Sequence, residues 1–182
     1  MTPILGILAS GISGNLWAPG KDFDSIATAV GTGSSGTITF SSIPATYRHL
    51  QIRVFGLSTG GQLNFRANGT TTGYPYCHYL NGSGTAATGG NSQASGAQIA
   101  VANVTTGFST TYPTVAVIDV LDYADTNKFK TVRSLGGNDT NGGGNVFLMS
   151  GFFQSTSAIN SVTLFTDANF ATTTNIALYG VK

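Results

Sequence analysis

The sequence predicts an all-β fold, a jelly-roll-like antiparallel β-sandwich with an apolar N-terminal arm, on three observations. Only 8% of the residues are charged, which is about a third of the usual fraction. The chain has 25 glycines and no glutamate, so the Glu and Lys pairs that support solvated helices are absent. Short apolar and β-branched runs recur between Gly, Asn and Ser clusters, a pattern typical of sandwiches and barrels.

Length and charge limit the classes of function. With 182 residues, the chain is long enough to bury a core without disulfides or metals, and we expect one such domain. Cys77 is the single cysteine, and the Cys and His spacing of a zinc site does not occur. The net charge is +1 and there is no basic run, which predicts no nucleic-acid partner. We expect no metal and no cofactor.

Residues 1–22 form the predicted docking arm. Because the segment lacks a positively charged start and an uninterrupted apolar run, it predicts neither a signal peptide nor membrane insertion. Its large apolar side chains must be buried on the chain's own domain, on a sister subunit or on another protein, and we favour a subunit contact. These side chains are Ile4, Leu5, Ile7, Leu8, Ile12, Leu16 and Trp17.

Residues 23–182 form the predicted sandwich domain. Its strands are predicted at 24–30, 36–43, 49–57, 62–67, 76–80, 97–104, 114–123, 129–135, 145–153, 161–165 and 175–181. Alternate apolar residues within a strand share a face, and six such pairs are predicted to form the core. The pairs are Ile52 and Val54, Leu63 and Phe65, Val115 and Val117, Val146 and Leu148, Val162 and Leu164, and Ile176 and Leu178.

Three polar segments connect these strands. Residues 81–97 contain no charge, no aromatic ring and no large aliphatic side chain, which predicts a long exposed loop. Residues 136–145 resemble a phosphate-binding loop only in glycine content, and they predict a hairpin loop. Asp122, Asp125 and Asn127 fall between two strands, where they suit a hairpin turn better than a calcium loop.

Catalytic groups are sparse in this sequence. Cys77 and His78 are adjacent, so on a strand they point to opposite faces and cannot easily act as nucleophile and base. Asp119 and Asp122 are the nearest pair of carboxylates for glycoside hydrolysis, but their odd separation also places them on opposite faces. We therefore expect Asp119 to be buried or hydrogen-bonded, Asp122 to lie in a turn, and the protein not to be an enzyme.

Aromatic residues cluster at Tyr74, Tyr76, His78 and Tyr79. Exposed rings of this kind can stack on sugars, which gives a candidate glycan contact. The alternative, which we favour, is that these side chains pack in the core or between subunits.

Several phrases resemble a group of small structural proteins from tailed bacteriophages. They are MTPILGILAS, FDSIATAVGTGSSGTITFSSIPATYRHLQIR, CHYLNGSG, VIDVLDYADTNKFKTVRSLGG and the ending IALYGVK. The resemblance spans nearly the whole chain but contains no active-site motif. It implies a virion protein on the particle exterior, of the fibre or minor structural type, whose partners are other virion proteins.

Two placements in a virion follow from this resemblance. The first is a tail fibre, receptor-binding or tail-tip component that contacts a host surface glycan. The second is a capsid decoration or head-fibre protein that stabilises the shell. A glycan-active depolymerase is the enzymatic alternative. In either placement we expect a homo-oligomer, with a trimer favoured.

Overall fold

The computed structural model describes residues 22–58, 60–75, 77–84, 86–92, 97–102, 109 and 111–182. These residues form strands and turns, and no helix, so the all-β prediction is confirmed. None of them belongs to a helix long and apolar enough to span a membrane. The strands are β1 (Phe23–Val30), β2 (Thr37–Phe40), β3 (His49–Gly56), β4 (Leu63–Ala67), β5 (Cys77–Ser83), β6 (Ala86–Ser92), β7 (Ile99–Ala102), β8 (Thr114–Leu121), β9 (Lys130–Asp139), β10 (Gly144–Phe153), β11 (Val162–Phe165) and β12 (Asn175–Val181).

Two antiparallel sheets pack as a sandwich, as predicted. The larger sheet has eight strands in the order β1-β12-β3-β8-β9-β10-β5-β6, and the smaller has four in the order β2-β11-β4-β7. Strand β7 of the small sheet contacts β9 and β10 of the large one. The jelly-roll connectivity is not established by this order and stays a prediction.

One continuous hydrophobic core lies between the sheets. Four of the six predicted core pairs are buried, and both sheets contribute to them. In β3 and β12 the buried positions alternate with exposed or half-buried ones, as the period of two requires. The confirmed core residues are Ile52, Val54, Leu63, Phe65, Val162, Leu164, Ile176 and Leu178.

The other two predicted core pairs are wrong, because Val115, Val117, Val146 and Leu148 lie on the outer face of the large sheet. Their exposed fractions run from 37% to 64%. The period of two shows that residues share a face but not which face is buried. In β8 the buried positions belong to the other set, which is Ala116, Ile118 and Val120.

The segment predicted as a long exposed loop, residues 81–97, is largely strand, which corrects that prediction. Strand β5 continues to Ser83, and β6 pairs with it along its whole length at the edge of the large sheet. A strand outside the core needs backbone pairing but few large side chains. A Cβ on Gly89 would lie 3.1 Å from the Leu80 side chain, so this glycine leaves room for the leucine on the neighbouring strand.

The glycine-rich hairpin is confirmed, with a shorter loop than predicted. Strand β9 continues to Asp139 and β10 begins at Gly144, so only residues 140–143 connect them. The Thr140 amide donates to the Gly143 carbonyl at 2.9 Å, and the Asn141 amide donates to Asp139 Oδ1 at 2.8 Å. Most of the glycine-rich segment therefore belongs to the strands.

Lys130 is fully buried at the start of β9. Its ammonium donates to backbone carbonyls of two connections, those of Asp125 and Lys128 before β9 and those of Ser155 and Thr156 after β10. Burial lowers the pKa of Lys130, and the nearby Asp125 acts in the opposite direction. The lysine thus joins two loops at one end of the sandwich.

Candidate functional site

The outer face of the large sheet exposes a continuous apolar surface, which we name the apolar belt. Its seven members have exposed fractions from 37% to 64%. They come from five neighbouring strands, β3, β8, β9, β10 and β5. The belt consists of Phe55, Leu80, Val115, Val117, Leu135, Val146 and Leu148.

Strand register makes the belt continuous. Directly opposite residues on adjacent antiparallel strands lie about 4.5–5.5 Å apart. One row of direct neighbours across four strands is Leu80, Leu148, Leu135 and Val117. The adjacent row across another four strands is Phe55, Val115, Gly137 and Val146.

Exposed apolar side chains are concentrated on this one face. In the described part of the chain, every exposed large hydrophobic residue except Tyr112 and Phe129 lies on it by strand register. Each of the seven belt residues is more than a third exposed, and together they span five neighbouring strands. A patch of this size is typical of an interaction site.

Charged residues lie at the border of the belt and are bonded along the sheet. Gln51 donates through Nε2 to Asp119 Oδ1 at 3.0 Å and accepts from Arg53 Nε at 2.9 Å. The Arg53 guanidinium also lies 4.7 Å from the centre of the Tyr179 ring. Arg133 lies opposite Asp119 on the adjacent strand. These contacts keep the border charges beside the apolar surface.

An aromatic cleft of about 520 Å³ lies on the same sheet, beyond the polar border. The Phe129 and Phe152 rings are nearly parallel, with centroids 6.2 Å apart and an interplanar angle of 18°. His78, Thr131 and Ser150 also line the cleft. Two exposed rings beside hydroxyl and imidazole groups can stack on the apolar face of a sugar and hydrogen-bond its hydroxyls.

Of the four residues predicted as a glycan contact, His78 lies in this cleft. Tyr74 is buried and stacks on Phe153 with the ring centroids 5.0 Å apart, so it belongs to the core, the alternative favoured by the sequence. Tyr79 is half-buried against the core, on the face of β5 opposite to His78. Tyr76 lies outside the described residues.

Phe129 and Phe152 were missed by the sequence prediction. They are 23 positions apart in the chain, and only strand pairing places Phe152 opposite Thr131, close to Phe129. The sequence contains one weak signal for Phe152. Adjacent residues of a strand point to opposite faces, so Phe152 is exposed where its neighbour Phe153 is buried.

The predicted placements of Cys77, His78, Asp119 and Asp122 are confirmed. Cys77 is buried and His78 is exposed, on opposite faces of β5. Asp119 accepts a hydrogen bond from Gln51, and Asp122 lies in the turn after β8 with a φ of 50°. The structure therefore brings neither pair together as a nucleophile with a base or as two facing carboxylates.

The predicted aspartate-rich turn is closed by a lysine. Lys128 Nζ lies 3.3 Å from Asp122 Oδ2 and 3.5 Å from Asp125 Oδ2. The hydrogen bond to Asp122 raises the pKa of Lys128, and the Asn127 amide lowers the pKa of Asp125. Among the described residues, no group of three or more His, Cys, Asp or Glu side chains could hold a metal ion.

The predicted docking-arm residues, Ile4, Leu5, Ile7, Leu8, Ile12, Leu16 and Trp17, lie outside the described residues. No protein-family model, curated protein or solved structure matches the chain. The resemblance to bacteriophage structural proteins therefore stays a prediction. The apolar belt and the aromatic cleft are the two surface features that bear on function.

Proposed function

We propose that this chain is a non-enzymatic structural protein of a tailed-bacteriophage virion, assembled on the particle exterior through its large sheet. The apolar belt is the observation that carries the assembly part of this proposal. The virion part is supported by the resemblance of the sequence phrases to phage structural proteins.

The free energy of burying the belt favours association. Covering apolar surface stabilises a complex by about 25 cal/mol per Å², and every belt residue is more than a third exposed. Association also costs translational, rotational and side-chain entropy, so only part of this gain becomes affinity. We therefore expect the apolar belt to be covered by another protein surface.

The aromatic cleft favours a tail fibre, receptor-binding or tail-tip component over a capsid decoration protein. It lies on the exposed surface and offers aromatic rings beside hydroxyl and imidazole groups that can form hydrogen bonds. A component at the tail tip meets host surface glycans, whereas a protein that stabilises the shell needs no ligand cleft. In the capsid alternative, the apolar belt would be the surface through which the protein assembles on the shell.

Location in the particle tests the proposal directly. Gold-labelled antibody against this chain should bind intact particles at the tail. Label over the shell would support the capsid alternative and contradict the tail placement. If purified particles contain none of the protein, the proposed function is wrong.

Glycan contact is tested with a matched pair of variants. Phe152→Ala should weaken binding to host surface polysaccharide about tenfold, since an aromatic contact contributes about 0.5–1.5 kcal/mol beyond its buried area. Phe23→Ala is the control, because Phe23 is also an exposed phenylalanine of the large sheet but does not line the cleft. Equal binding by both variants would argue against the cleft. Polysaccharide turnover that Asp119→Asn abolishes would contradict the non-enzymatic proposal.

A further inference from the structure

We propose that the apolar belt binds the same belt on a second copy of this chain. This inference rests on the proposed function and names the partner that covers the surface. The shape, the width and the charges of the outer face of the large sheet favour this partner.

The shape of the belt suits another belt. A hollow of about 290 Å³ lined by Gly89 lies beside Leu80 and Leu148. Gly137 lies in a second hollow, of about 400 Å³, beside Val115 and Val146. The surface therefore presents large aliphatic side chains next to hollows, and a second copy supplies side chains of the same kind to fill them. Sheets that pack face to face in this way lie about 10 Å apart.

The width of the belt also favours a second sheet. The belt spans five strands, which at about 4.8 Å between neighbouring strands is roughly 20 Å. A single extended segment is only one strand wide and would cover a small part of it, so a second sheet fits better.

The charges of the face also favour a second copy. The belt itself contains no charged residue, and its border carries both signs, with Arg53 and Arg133 near Asp119. A face with both signs can meet a copy of itself with opposite charges opposed. The border offers no single-sign surface for a strongly acidic or strongly basic partner.

Sedimentation velocity of the full chain at micromolar concentration tests this inference. We expect an oligomer that persists in 1 M NaCl, because apolar contacts are not screened by salt. Leu135→Asp or Leu148→Asp should weaken self-association at least about 100-fold, since each places an unpaired charge in the interface. Thr37→Asp is the matched control, because Thr37 is an exposed strand residue on the small sheet, and it should leave the oligomer intact.

Three results would overturn the inference. The first is a wild-type monomer or trimer at these concentrations. The second is an oligomer that survives both belt substitutions. The third is an oligomer lost on deletion of residues 1–21 but kept by the belt variants. Circular dichroism must show that the variants are folded, and Leu135→Asn repeats the test without adding a charge.

The particle-labelling experiment separates this inference from the proposed function. A monomeric protein that is nonetheless found on the virion would overturn self-association and leave the structural role standing. An oligomer that is absent from particles would support self-association and contradict the structural role in the virion. A contact between two identical surfaces is two-fold, so an assembly of two copies supports the inference, whereas the trimer expected from the sequence would overturn it.

Discussion

At the scale of single residues, Lys130 shows how a charged side chain can stabilise a sandwich from within. Its ammonium lies near four backbone carbonyls from two separate connections. Buried ammonium groups are stable only when hydrogen bonds replace the lost water. Lys128, two positions earlier, is exposed and bonds carboxylates of the same turn, so two neighbouring lysines have different roles.

Lys130→Met should lower the free energy of unfolding by about 3 kcal/mol, because the four carbonyls lose a charged donor in a buried site. Lys128→Met is the matched control, and its loss should be clearly smaller because its ion pairs are exposed. Urea unfolding followed by circular dichroism measures both changes. Equal losses in the two variants would contradict the structural role of Lys130.

At the scale of strands, a glycine allows a side chain from another part of the chain to lie directly against the strand. The Tyr47 ring lies directly against Gly180 in β12, where a Cβ would come within 2.2 Å of the ring. Gly82 in β5 has no such neighbour, and the nearest atom to a Cβ there is the Val146 carbonyl oxygen at 4.0 Å. Two glycines in strands of the same sheet therefore meet different constraints.

Gly180→Ala should lower the free energy of unfolding by about 1–3 kcal/mol, because the added methyl displaces the Tyr47 ring. Gly82→Ala should be neutral or slightly stabilising, since alanine loses less backbone entropy in a strand. Thermal unfolding of the two variants side by side is the measurement. A stable Gly180→Ala protein would show that Tyr47 moves at little cost.

At the scale of the whole molecule, the two ends of the described chain form neighbouring strands. Strand β12 pairs with β1 on one side and with β3 on the other. The sheets share one continuous core. Elements far apart in sequence thus depend on each other, which favours a single cooperative unfolding transition.

Leu178→Ala should reveal this cooperativity, because Leu178 is fully buried in β12. The loss of its side chain should cost about 2–5 kcal/mol. Far-ultraviolet circular dichroism reports strands and near-ultraviolet circular dichroism reports tyrosine packing, and their transitions should shift together to lower urea. Separate midpoints would mean that the two sheets unfold independently.

Much of the fold follows from local pattern, and the errors have two physical causes. The period of two in the sequence predicts strands such as 49–57 and 175–181. It also identifies which residues within a strand share a face. The same period cannot tell the inner face from the outer, so it wrongly predicts Val115, Val117, Val146 and Leu148 as core residues. Segment 81–97 was missed because an edge strand is held by backbone pairing, which side-chain composition reports poorly.

The sequence by itself determined the fold class, the opposite faces of Cys77 and His78, and the turn at Asp122, because these depend on composition and near neighbours. Only the tertiary structure decided which apolar residues remain on the surface and form the belt. It also brought Phe129 and Phe152 together beside His78. The reason is that burial and cross-strand contact depend on how distant strands pair, and no local pattern contains that information.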